Sequence, residues 1–585
     1  MKTLGLIFLC FCTSSFLYSP CNSQYAEVSP ENYPDLVNEV VITEIMADPD
    51  PVVSLPDAEY LELFNRSDAP VALGGWRLFF GDHVCYLPEI TLAPFAYMLL
   101  CESGREIEFT GCGTVAGLPR MPAVVNTGGM LTLVSASGDV VSSVEYSDNW
   151  YDTPSKAKGG WSLEMIDTDN PCGKAENWSE STDPAGGTPC RRNSVSALNP
   201  DTERPRLLRA AMQGNSSVIL HFSESMDSAS ISNPSLYSVS RGMLHPLRSD
   251  PVEPQYRSII LSWNEPFSST AVYSVMAMYS LHDCAGNLLA ANPSVPFAFS
   301  QQAESLDVVI NEILFDATPQ RGEFIELYNR SPKVIDLASL VLEMLNEETG
   351  LPKKQFTLAN SAFLLFPESY AVLTRNAREL PNNTGYACAE KILEQKASFI
   401  LPDAGGCVAL RNDAGIEIDR VCYSNRMHSP FYENTAGVSL ERIQSDGPSD
   451  DPENWSSAST LSGCATAGYK NSQSGFDGDE SVSVYVSPSL FSPDNDGTDD
   501  AAFVVVQTGN PGYSGNVIVF NAAGKQIKTL AHSEIIGAET VFTWDGAKND
   551  GKQADMGIYV IFIELFNSNG EVKNYRKVVT LAREL

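Results

Sequence analysis

The stretch EYLELFNRS, residues 59–67, decides the fold, because it returns almost unchanged as EFIELYNRS at residues 323–331. Successive side chains of a β-strand point to opposite faces, and in this stretch both faces carry apolar groups. Such a pattern is typical of a strand inside a β-sandwich. The stretch ends in Asn65-Arg66-Ser67, whose side chains can bond to their own backbone and so close the strand with a polar turn.

Three further blocks recur in the same order around this repeated nonamer. They are VVITEI and VVINEI at 40–45 and 308–313, WSLEMI and VSLERI at 161–166 and 438–443, and ENWSES and ENWSSA at 176–181 and 453–458. Four blocks in one order indicate a duplicated domain of about 160 residues, which is too long for a solenoid repeat. The sequence therefore predicts two copies of one sandwich module.

The first copy resembles the bacterial lamin-tail domain, an immunoglobulin-like sandwich named for its occurrence in nuclear lamins. The resemblance rests on the I-x-E-I opening, on LPDAEYLELFNRSD and LGGWRL, and on the closing WSLE, NW and GGTP blocks. It covers residues 37–195, and it extends to residues 305–472, where GGTP is degraded to ATAG. The resemblance implies architecture rather than an activity.

Two further modules complete an all-β chain of tandem immunoglobulin-like β-sandwich domains. Residues 207–300 follow a linker at 196–206 and resemble the Ig-like modules of bacterial surface proteins, through an F-S-E-x-M and a D-x-x-G-N motif. Residues 484–585 follow a linker at 473–483 and resemble the C-terminal Ig-like module of flagellar hook-capping and gliding-motility-associated proteins of Bacteroidetes, through W-D-G and G-x-Y motifs. The second resemblance implies a type IX secretion sorting signal.

The N-terminal residues predict export. An uncharged apolar run from Leu4 to Leu17 follows Lys2, which is the pattern of a secretory signal peptide, here 1–23, and a polar leader follows at 24–36. A lipidated Cys21 is the alternative. No later segment approaches the ~20 apolar residues that a membrane helix needs. We therefore expect a cell-surface or secreted protein, with the periplasm as the alternative location.

The formal charge of −35 limits the choice of partners. Nucleic acid is bound chiefly through Lys and Arg side chains that neutralise phosphates. No basic run in this chain is larger than Arg191-Arg192 or Lys353-Lys354. We therefore expect an extracellular or envelope protein or a glycan as partner, and no nucleic acid; the oligomeric state stays open.

Ten of the 13 cysteines lie beyond residue 23, and none forms the C-x-x-C pair that favours zinc or thioredoxin-like chemistry. Disulfides are expected in an oxidising compartment. Cys101 with Cys112, and Cys172 with Cys190, are plausible local pairs, while the full connectivity stays open.

Repeated glutamates are the candidates for catalytic carboxylates: Glu44, Glu59 and Glu62 in the first copy, and Glu312, Glu323 and Glu326 in the second. General acid–base catalysis needs two carboxylates at a controlled separation. Glutamates on neighbouring strands can also hydrogen-bond turns or pair with Arg66 and Arg330. Because no third group completes a site, we predict a structural role, with catalysis as the alternative.

Four aspartates of the last domain surround Gly497 and form a candidate calcium site: Asp494, Asp496, Asp499 and Asp500. Carboxylate oxygens are the ligands that Ca²⁺ prefers, but the spacing is not that of an EF-hand loop. A plain Asx-rich turn is the alternative. Asp545 and Asp550 in WDGAKND have the same two readings.

Other enzyme motifs are absent: the sequence contains no G-x-S-x-G elbow, Walker loop or Rossmann fingerprint, and its six histidines are scattered. Four tryptophans could stack on sugar rings: Trp76, Trp161, Trp178 and Trp455. The recurrence of Trp178 as Trp455 favours core packing instead. We predict a non-enzymatic exported scaffold or adhesion-type protein. The alternatives are a surface-associated hydrolase that uses the repeated glutamates and an array of carbohydrate-binding modules.

Overall fold

The computed structural model describes residues 37–242, 245–290, 294–318, 321–380, 389–395, 399–475 and 482–583. The predicted signal peptide and leader lie outside the described residues, as does most of the linker predicted at 473–483. Strands dominate the described chain, and its one α-helix is α1 (Ser228–Ile231). The predicted all-β fold is therefore confirmed.

The first copy is built from two main sheets. Its strands are β1 (Val40–Met46), β2 (Tyr60–Asn65), β3 (Val71–Ala72), β4 (Arg77–Phe80), β5 (His83–Tyr86), β6 (Thr91–Leu92), β7 (Tyr97–Glu102), β8 (Val115–Leu118), β9 (Gly128–Val134), β10 (Val140–Ser147), β11 (Leu163–Met165) and β12 (Trp178–Glu180). A six-stranded sheet has the order β12-β11-β1-β2-β7-β8, and a four-stranded sheet has the order β10-β9-β4-β5. The turn at Ser137-Gly138-Asp139 joins β9 to β10.

The second copy follows the Ig-like domain and repeats this topology strand for strand. Its strands are β20 (Val308–Leu314), β21 (Phe324–Asn329), β22 (Ile335–Asp336), β23 (Leu340–Leu345), β24 (Pro352–Thr357), β25 (Leu364–Leu365), β26 (Tyr370–Thr374), β27 (Ile392–Glu394), β28 (Gly405–Asn412), β29 (Glu417–Ser424), β30 (Leu440–Arg442) and β31 (Trp455–Ser457). Its six-stranded sheet has the order β27-β26-β21-β20-β30-β31, and its four-stranded sheet has the order β24-β23-β28-β29. In each copy one edge pair of the large sheet, β7 with β8 and β26 with β27, is parallel.

A β-bulge in the first strand of each copy positions the repeated glutamates. In β1 the register with β2 shifts between Ile42 and Glu44, and in β20 the register with β21 shifts between Ile310 and Glu312. A bulge leaves one residue unpaired and re-aims its side chain. That residue is Thr43 in the first copy, and its hydroxyl donates to a glutamate of the neighbouring strand.

The core of each copy lies between its two sheets. In the first copy Leu61 and Leu63 of β2 point into it, whereas Tyr60 and Glu62 point to the opposite face of the large sheet. That outer face is also buried. Some other part of the chain must therefore cover it.

The strands of the Ig-like domain are β13 (Leu207–Met212), β14 (Ser217–Phe222), β15 (Tyr237–Val239), β16 (Arg248–Val252), β17 (Ser258–Ser262), β18 (Tyr273–Ala277) and β19 (Ser294–Phe297). They form a sandwich of a four-stranded sheet, β13-β14-β17-β16, and a three-stranded sheet, β15-β18-β19. Strand β14 alternates buried and half-buried residues, as expected of a sheet with one face on the core. Val218, Leu220 and Phe222 form the buried set.

The strands of the last domain are β32 (Ser483–Ser487), β33 (Leu490–Phe491), β34 (Ala502–Gln507), β35 (Tyr513–Asn521), β36 (Gln526–Ile536), β37 (Glu539–Trp544), β38 (Gly557–Asn567) and β39 (Val572–Leu581). A three-stranded sheet, β32-β34-β37, packs on a five-stranded sheet, β33-β39-β38-β35-β36. A hairpin turn at 521–524 joins β35 to β36. Trp544 of the W-D-G motif is fully buried against Phe491 and Tyr559.

Short 3-10 turns connect several strands: Glu106–Glu108, Asp148–Trp150, Lys156–Lys158, Ala175–Asn177, Pro234–Leu236, Leu337–Ser339, Ala377–Glu379, Ala389–Lys391, Asn425–Met427, Pro452–Asn454 and Thr460–Ser462. The domains also contact one another. A disulfide between Cys172 and Cys284 joins the first copy to the Ig-like domain. Arg378 of the second copy forms an ion pair with Glu176 of the first, at 2.6 Å.

Candidate functional site

Three glutamates form a row across three neighbouring strands of the first copy. Glu44 of β1 lies opposite Glu62 of β2 on one side and opposite Glu164 of β11 on the other. All three are fully buried on the sheet face that points away from the sandwich core. Directly opposed like charges destabilise a strand pair unless their oxygens find donors. The partners of these carboxylates therefore decide what the row does.

Donors for the row come from the segment 188–195, which we call the first strap. Thr188 N–H donates to Glu44 Oε1 at 2.7 Å, and Cys190 N–H donates to Glu62 Oε2 at 2.5 Å. Hydroxyl groups complete the set: Thr188 Oγ1 and Ser194 Oγ donate to Glu164, at 2.9 and 2.7 Å. The strap is thus fastened to all three strands through their carboxylates.

The second copy repeats the arrangement with Glu312, Glu326 and Glu441, which are also fully buried. Its strap is the segment 466–473, the second strap. Thr466 N–H donates to Glu312 at 2.8 Å and Gly468 N–H donates to Glu326 at 2.5 Å. Further along the strap, Ser472 Oγ and Gln473 N–H donate to the third glutamate, each at 2.8 Å.

Burial raises the pKa of the glutamates in both rows. The pKa of Glu44 rises from 4.5 to about 7, first through burial and then through the charge of Glu164. The pKa of Glu312 rises from 4.5 to about 8, through burial and then through Glu441. The pKa values of Glu62 and Glu326 are also raised well above 4.5, for the same two kinds of reason. Each row therefore retains protons near neutral pH.

The glutamates of both rows have the contacts of side chains that hold the straps in place. A general acid or base must contact a substrate atom or a water that does so. Here the straps cover the carboxylates, and strap N–H and O–H groups use their oxygens. The third glutamates of the two rows, Glu164 and Glu441, lie in the WSLE and VSLE blocks. The presence of Glu in both blocks is the sequence signal that could have identified them.

The other two repeated glutamates also bind backbone. Glu59 accepts Val124 N–H at 2.8 Å, and Glu323 accepts Leu401 N–H at 2.7 Å. The suggested pairing of glutamates with Arg66 and Arg330 is wrong: these arginines form ion pairs with Asp169 and Asp446. Both arginines lie at the strand end, where the aspartates of a neighbouring turn are within reach.

The disulfides differ from the predicted local pairs. Cys112 bonds to Cys190 and Cys172 bonds to Cys284, while Cys101 is a free, buried cysteine. The local prediction failed because the first strap crosses the large sheet and brings Cys190 to Cys112. Cys190 is therefore not bonded to Cys172, its neighbour in the sequence. A third disulfide joins paired residues of adjacent strands, Cys407 and Cys422.

Three of the four predicted calcium ligands lie together. Carboxylate oxygens of Asp494, Asp496 and Asp500 lie within 4.8 Å of one another, whereas Asp499 is not part of that group. Both oxygens of Asp500 accept backbone N–H groups, from Asn495 and from Gly497. The loop thus has the bonds of an Asx-rich turn, and its carboxylates are grouped as a cation site also requires.

Most of the candidate sugar-stacking tryptophans are not available at the surface. Trp76, Trp178 and Trp455 are buried in the cores of the two copies. Trp161 is half-buried, and the ammonium group of Lys156 lies 4.3 Å from its ring centre. The core-packing interpretation therefore holds for the repeated pair.

Two clusters of charged residues, one acidic and one basic, were not predicted from the sequence. Asp201, Glu224 and Asp283 bring carboxylate oxygens together in the Ig-like domain, where Lys174 lies 3.7 Å from Glu224. A cavity lined with arginines lies where three domains meet. Both are assembled from distant segments, so no local run of residues marks them.

Comparison with protein families identifies domains of two types in this chain. The family model described as Lamin Tail Domain matches residues 36–148 and 301–425, and a Bacterial Ig-like domain model matches residues 195–301. The chain therefore contains two lamin tail domains with a bacterial Ig-like domain between them. The two straps lie outside the matched lamin-tail residues. Comparison with curated proteins finds no significant match.

Similar solved structures include surface and adhesion proteins. The N-terminal part of the bacterial S-layer protein SbsC is 14% identical, with 29% of this chain and 40% of that chain covered at a TM-score of 0.16. Dimeric latent PorU from Porphyromonas gingivalis is 9% identical over 70% of this chain and 35% of that chain, at 0.15. A tetra-tandem repeat from the extending region of a large adhesion protein is 10% identical over 93% of this chain and 100% of that chain, at 0.12. Such low scores carry no argument about domain arrangement or activity.

Among the described residues, no helix has the length and apolar character needed to cross a membrane.

Proposed function

We propose that this protein is a non-enzymatic, exported scaffold or adhesion-type protein that presents its domains at the cell surface or outside the cell. The observation that carries the proposal is the use of the repeated glutamates. The oxygens of Glu44 and Glu62 are occupied by the first strap and by neighbouring hydroxyl groups, and both side chains are fully buried. The hydrolase alternative would need at least one of these carboxylates to reach a substrate.

Each glutamate row also supports a domain junction. Just beyond the first strap, Asn199 N–H donates to Asp167 at 2.7 Å, and Arg204 then donates to Leu288 of the Ig-like domain at 2.9 Å. Ser472 of the second strap accepts Ala538 N–H of the last domain at 2.8 Å. A row that fixes a strap therefore also fixes the place from which the next domain starts. Such a role suits a protein whose task is to hold modules in position.

The location is part of the same proposal. The sequence pattern at 1–23 predicts export, and the resemblance of residues 484–585 to C-terminal modules of gliding-motility-associated proteins implies sorting to the surface. Lamin tail and bacterial Ig-like domains are compatible with an exported scaffold but are not specific to one. An extracellular or envelope protein, or a glycan, is the partner class we infer.

Fractionation of the native host with protease shaving of intact cells tests the location. The full-length protein is compared with a truncation that ends at Ser481. We expect the full-length protein to be shaved from the surface and the truncation to stay in the periplasm. If both stay in the periplasm, residues 484–585 are not a sorting module and the surface assignment fails.

A separate assay tests the non-enzymatic role. Purified full-length protein is screened for hydrolysis of glycoside, ester and peptide substrates, alongside a Glu62→Gln variant. The Glu62→Gln variant is first shown to be folded by circular dichroism. Turnover by the wild type that this variant lacks would establish the hydrolase alternative and overturn the proposal of a non-enzymatic scaffold.

A further inference from the structure

A large cavity lies where the first lamin tail domain, the Ig-like domain and the second lamin tail domain meet. We call it the three-domain cleft. Its volume is about 580 Å³, and Trp150, His221 and Arg378 represent the three domains in its lining. Small-molecule sites typically occupy clefts of roughly 300–1,000 Å³, often between domains. The cleft is therefore large enough for a small ligand.

The charge of the cleft is opposite to that of the chain. Seven Lys or Arg residues and five Glu residues line it, although the whole chain carries a formal charge of −35. A basic cavity in so acidic a protein concentrates anions locally, because field lines are focused in a low-dielectric cleft. The question is whether the cations are already neutralised by the protein.

Part of the basic lining is already paired. Arg378 forms an ion pair with Glu176 at 2.6 Å, and Lys174 lies 3.7 Å from Glu224. Arg204 donates to backbone carbonyls of the Ig-like domain. These contacts hold the walls of the cleft together, and they use up two of its five carboxylates.

Two further arginines that line the cleft, both from the Ig-like domain, are not paired in this way. Within the described part of the chain, Arg209 and Arg257 form no ion pair and no side-chain hydrogen bond, and the Nε atom of each is buried without a partner. The guanidinium carbon of Arg209 lies 5.0 Å from the ring centre of Phe363, in the second lamin tail domain. One face of this guanidinium is thus supported by an aromatic ring, while its buried Nε–H group has no acceptor among the described residues.

A histidine completes the set of unused donors. His221 lies between Arg209 and Ser258 in the register of β13, β14 and β17. Ser258 Oγ lies 2.8 Å from Nδ1 of His221, and the Nε2 atom is buried without a partner in the described residues. Burial, and then the charge of Arg209, lowers the pKa of His221 to about 4. The ring is neutral at physiological pH, and when Ser258 donates to Nδ1 the other nitrogen carries the hydrogen.

A partly buried cation without a counter-charge is costly, because it has lost water and gained no partner. A guanidinium offers a planar fork of donors that matches the oxygens of a carboxylate or phosphate group. We propose that the three-domain cleft is a binding site for a small oxyanion, held by Arg209 and Arg257 with His221 as an additional donor. The site goes beyond a scaffold role, since it gives the junction of three domains a ligand.

Titration of the intact, disulfide-bonded full-length protein tests the site. Inorganic phosphate and glucuronate are titrated separately by calorimetry, in a chloride buffer free of other oxyanions. We expect saturable binding of at least one of them. Arg209→Gln and Arg257→Gln should each weaken it about tenfold, since a charge-assisted hydrogen bond is lost. Preference for phosphate would indicate a phosphorylated ligand or the free ion, and preference for glucuronate would indicate a carboxylated ligand such as an acidic sugar.

Arg248→Gln is the matched control. Arg248 belongs to the same sheet of the Ig-like domain, but its side chain is 72% exposed and pairs with Asp250 outside the cleft. Binding to this variant should equal that of the wild type. The proposal is overturned if neither anion binds saturably, or if the double variant Arg209→Gln/Arg257→Gln binds as tightly as the wild type.

Thermal unfolding separates an anion site from a purely structural one. In the chloride buffer without added oxyanion the double variant should unfold at the same temperature as the wild type or higher, because it no longer holds two uncompensated cations. The bound oxyanion should raise the unfolding temperature of the wild type alone. A double variant that unfolds earlier in the chloride buffer and still responds to the oxyanion would show that the two arginines only support the packing.

Discussion

Cys190 is held twice: its backbone N–H donates to Glu62 Oε2 at 2.5 Å, and its sulfur is bonded to Cys112. In the second lamin tail domain Gly468 takes the equivalent place and donates its N–H to Glu326, also at 2.5 Å. The two domains thus share the carboxylate anchor of the strap. Only the first adds a covalent bond to it.

Removing that covalent bond should destabilise the first lamin tail domain. Cys112 and Cys190 are 78 residues apart, so the disulfide restricts a long loop of the unfolded chain. Replacing both by Ser should cost about 2–5 kcal/mol. Hydrogen exchange resolved by domain is the measurement, because a chain of several domains does not unfold in two states.

The disulfide between Cys407 and Cys422 provides the control. Its residues are only 15 apart in sequence, so the loop-entropy model predicts a loss smaller by about 1–2 kcal/mol when both become Ser. Equal losses at the two disulfides would show that native contacts, rather than loop length, determine their contributions.

Glu62→Gln and Glu326→Gln should differ, although the two glutamates are equivalent. Glu62 accepts from the hydroxyl of Thr43 and from a strap N–H; a hydroxyl can also accept, so the Gln amide can donate to it. Glu326 accepts from two N–H donors, the Asn311 amide and Gly468. There the Gln amide must face a donor. We expect Glu326→Gln to cost about 1–3 kcal/mol more than Glu62→Gln.

Denaturant unfolding of each variant, followed by domain-resolved hydrogen exchange, measures this difference. An Asn311→Thr/Glu326→Gln double variant copies the first domain and should recover part of the loss. Equal destabilisation by the two single Gln variants would mean that charge, not donor geometry, determines the contribution of these glutamates.

The duplication and the strand character of EYLELFNRS followed from sequence, because alternation and repetition are local properties. The two straps were not predicted from the sequence, although T-P-C-x-x-N-S at 188–194 is weakly repeated as T-A-G-x-x-N-S at 466–472. Their donors reach glutamates up to 154 residues away, and only the fold brings them together. Likewise, Arg209 lies in β13 and Arg257 lies just before β17, so a search for basic runs missed the three-domain cleft.

Calcium binding by the last domain remains a prediction with a matched pair of variants. Asp496 belongs to the group of three clustered carboxylates, and one of its oxygens accepts Thr498 N–H, whereas Asp499 lies outside the group. Asp496→Asn keeps the oxygen that the turn needs but removes the charge. We expect Ca²⁺ to raise the unfolding temperature of the wild type and of Asp499→Asn, but not of Asp496→Asn. No response of the wild type to millimolar Ca²⁺, or equal responses in all three, would leave only the Asx-rich turn.

The stability of the lamin tail domains should fall as the pH rises from about 4.5 to 8. In the folded chain the pKa of Glu44 is about 7 and that of Glu312 is about 8, both raised from 4.5, chiefly by burial. Between the ordinary and the raised pKa the folded state holds protons that the unfolded state has released. The free energy of unfolding therefore decreases with pH in that window. The stabilisation from the raised pKa of Glu44 is fully present below pH 4.5 and is lost above pH 7. The stabilisation from the raised pKa of Glu312 is likewise present below pH 4.5 and is lost above pH 8.

Glu312→Gln isolates this effect. The Gln side chain is neutral at every pH, keeps an oxygen for Thr466 N–H and can donate to Thr466 Oγ1, which itself donates to Glu441. Hydrogen exchange of the second domain, measured from pH 5 to 8 with correction for intrinsic exchange rates, should show a shallower loss of stability in this variant. The first domain of the same molecule, with Glu44 intact, serves as the internal reference and should keep its slope. Wild-type stability that increases through this window would mean that the buried glutamates are ionised in the folded protein and that the straps bind carboxylates whose charge is fully stabilised.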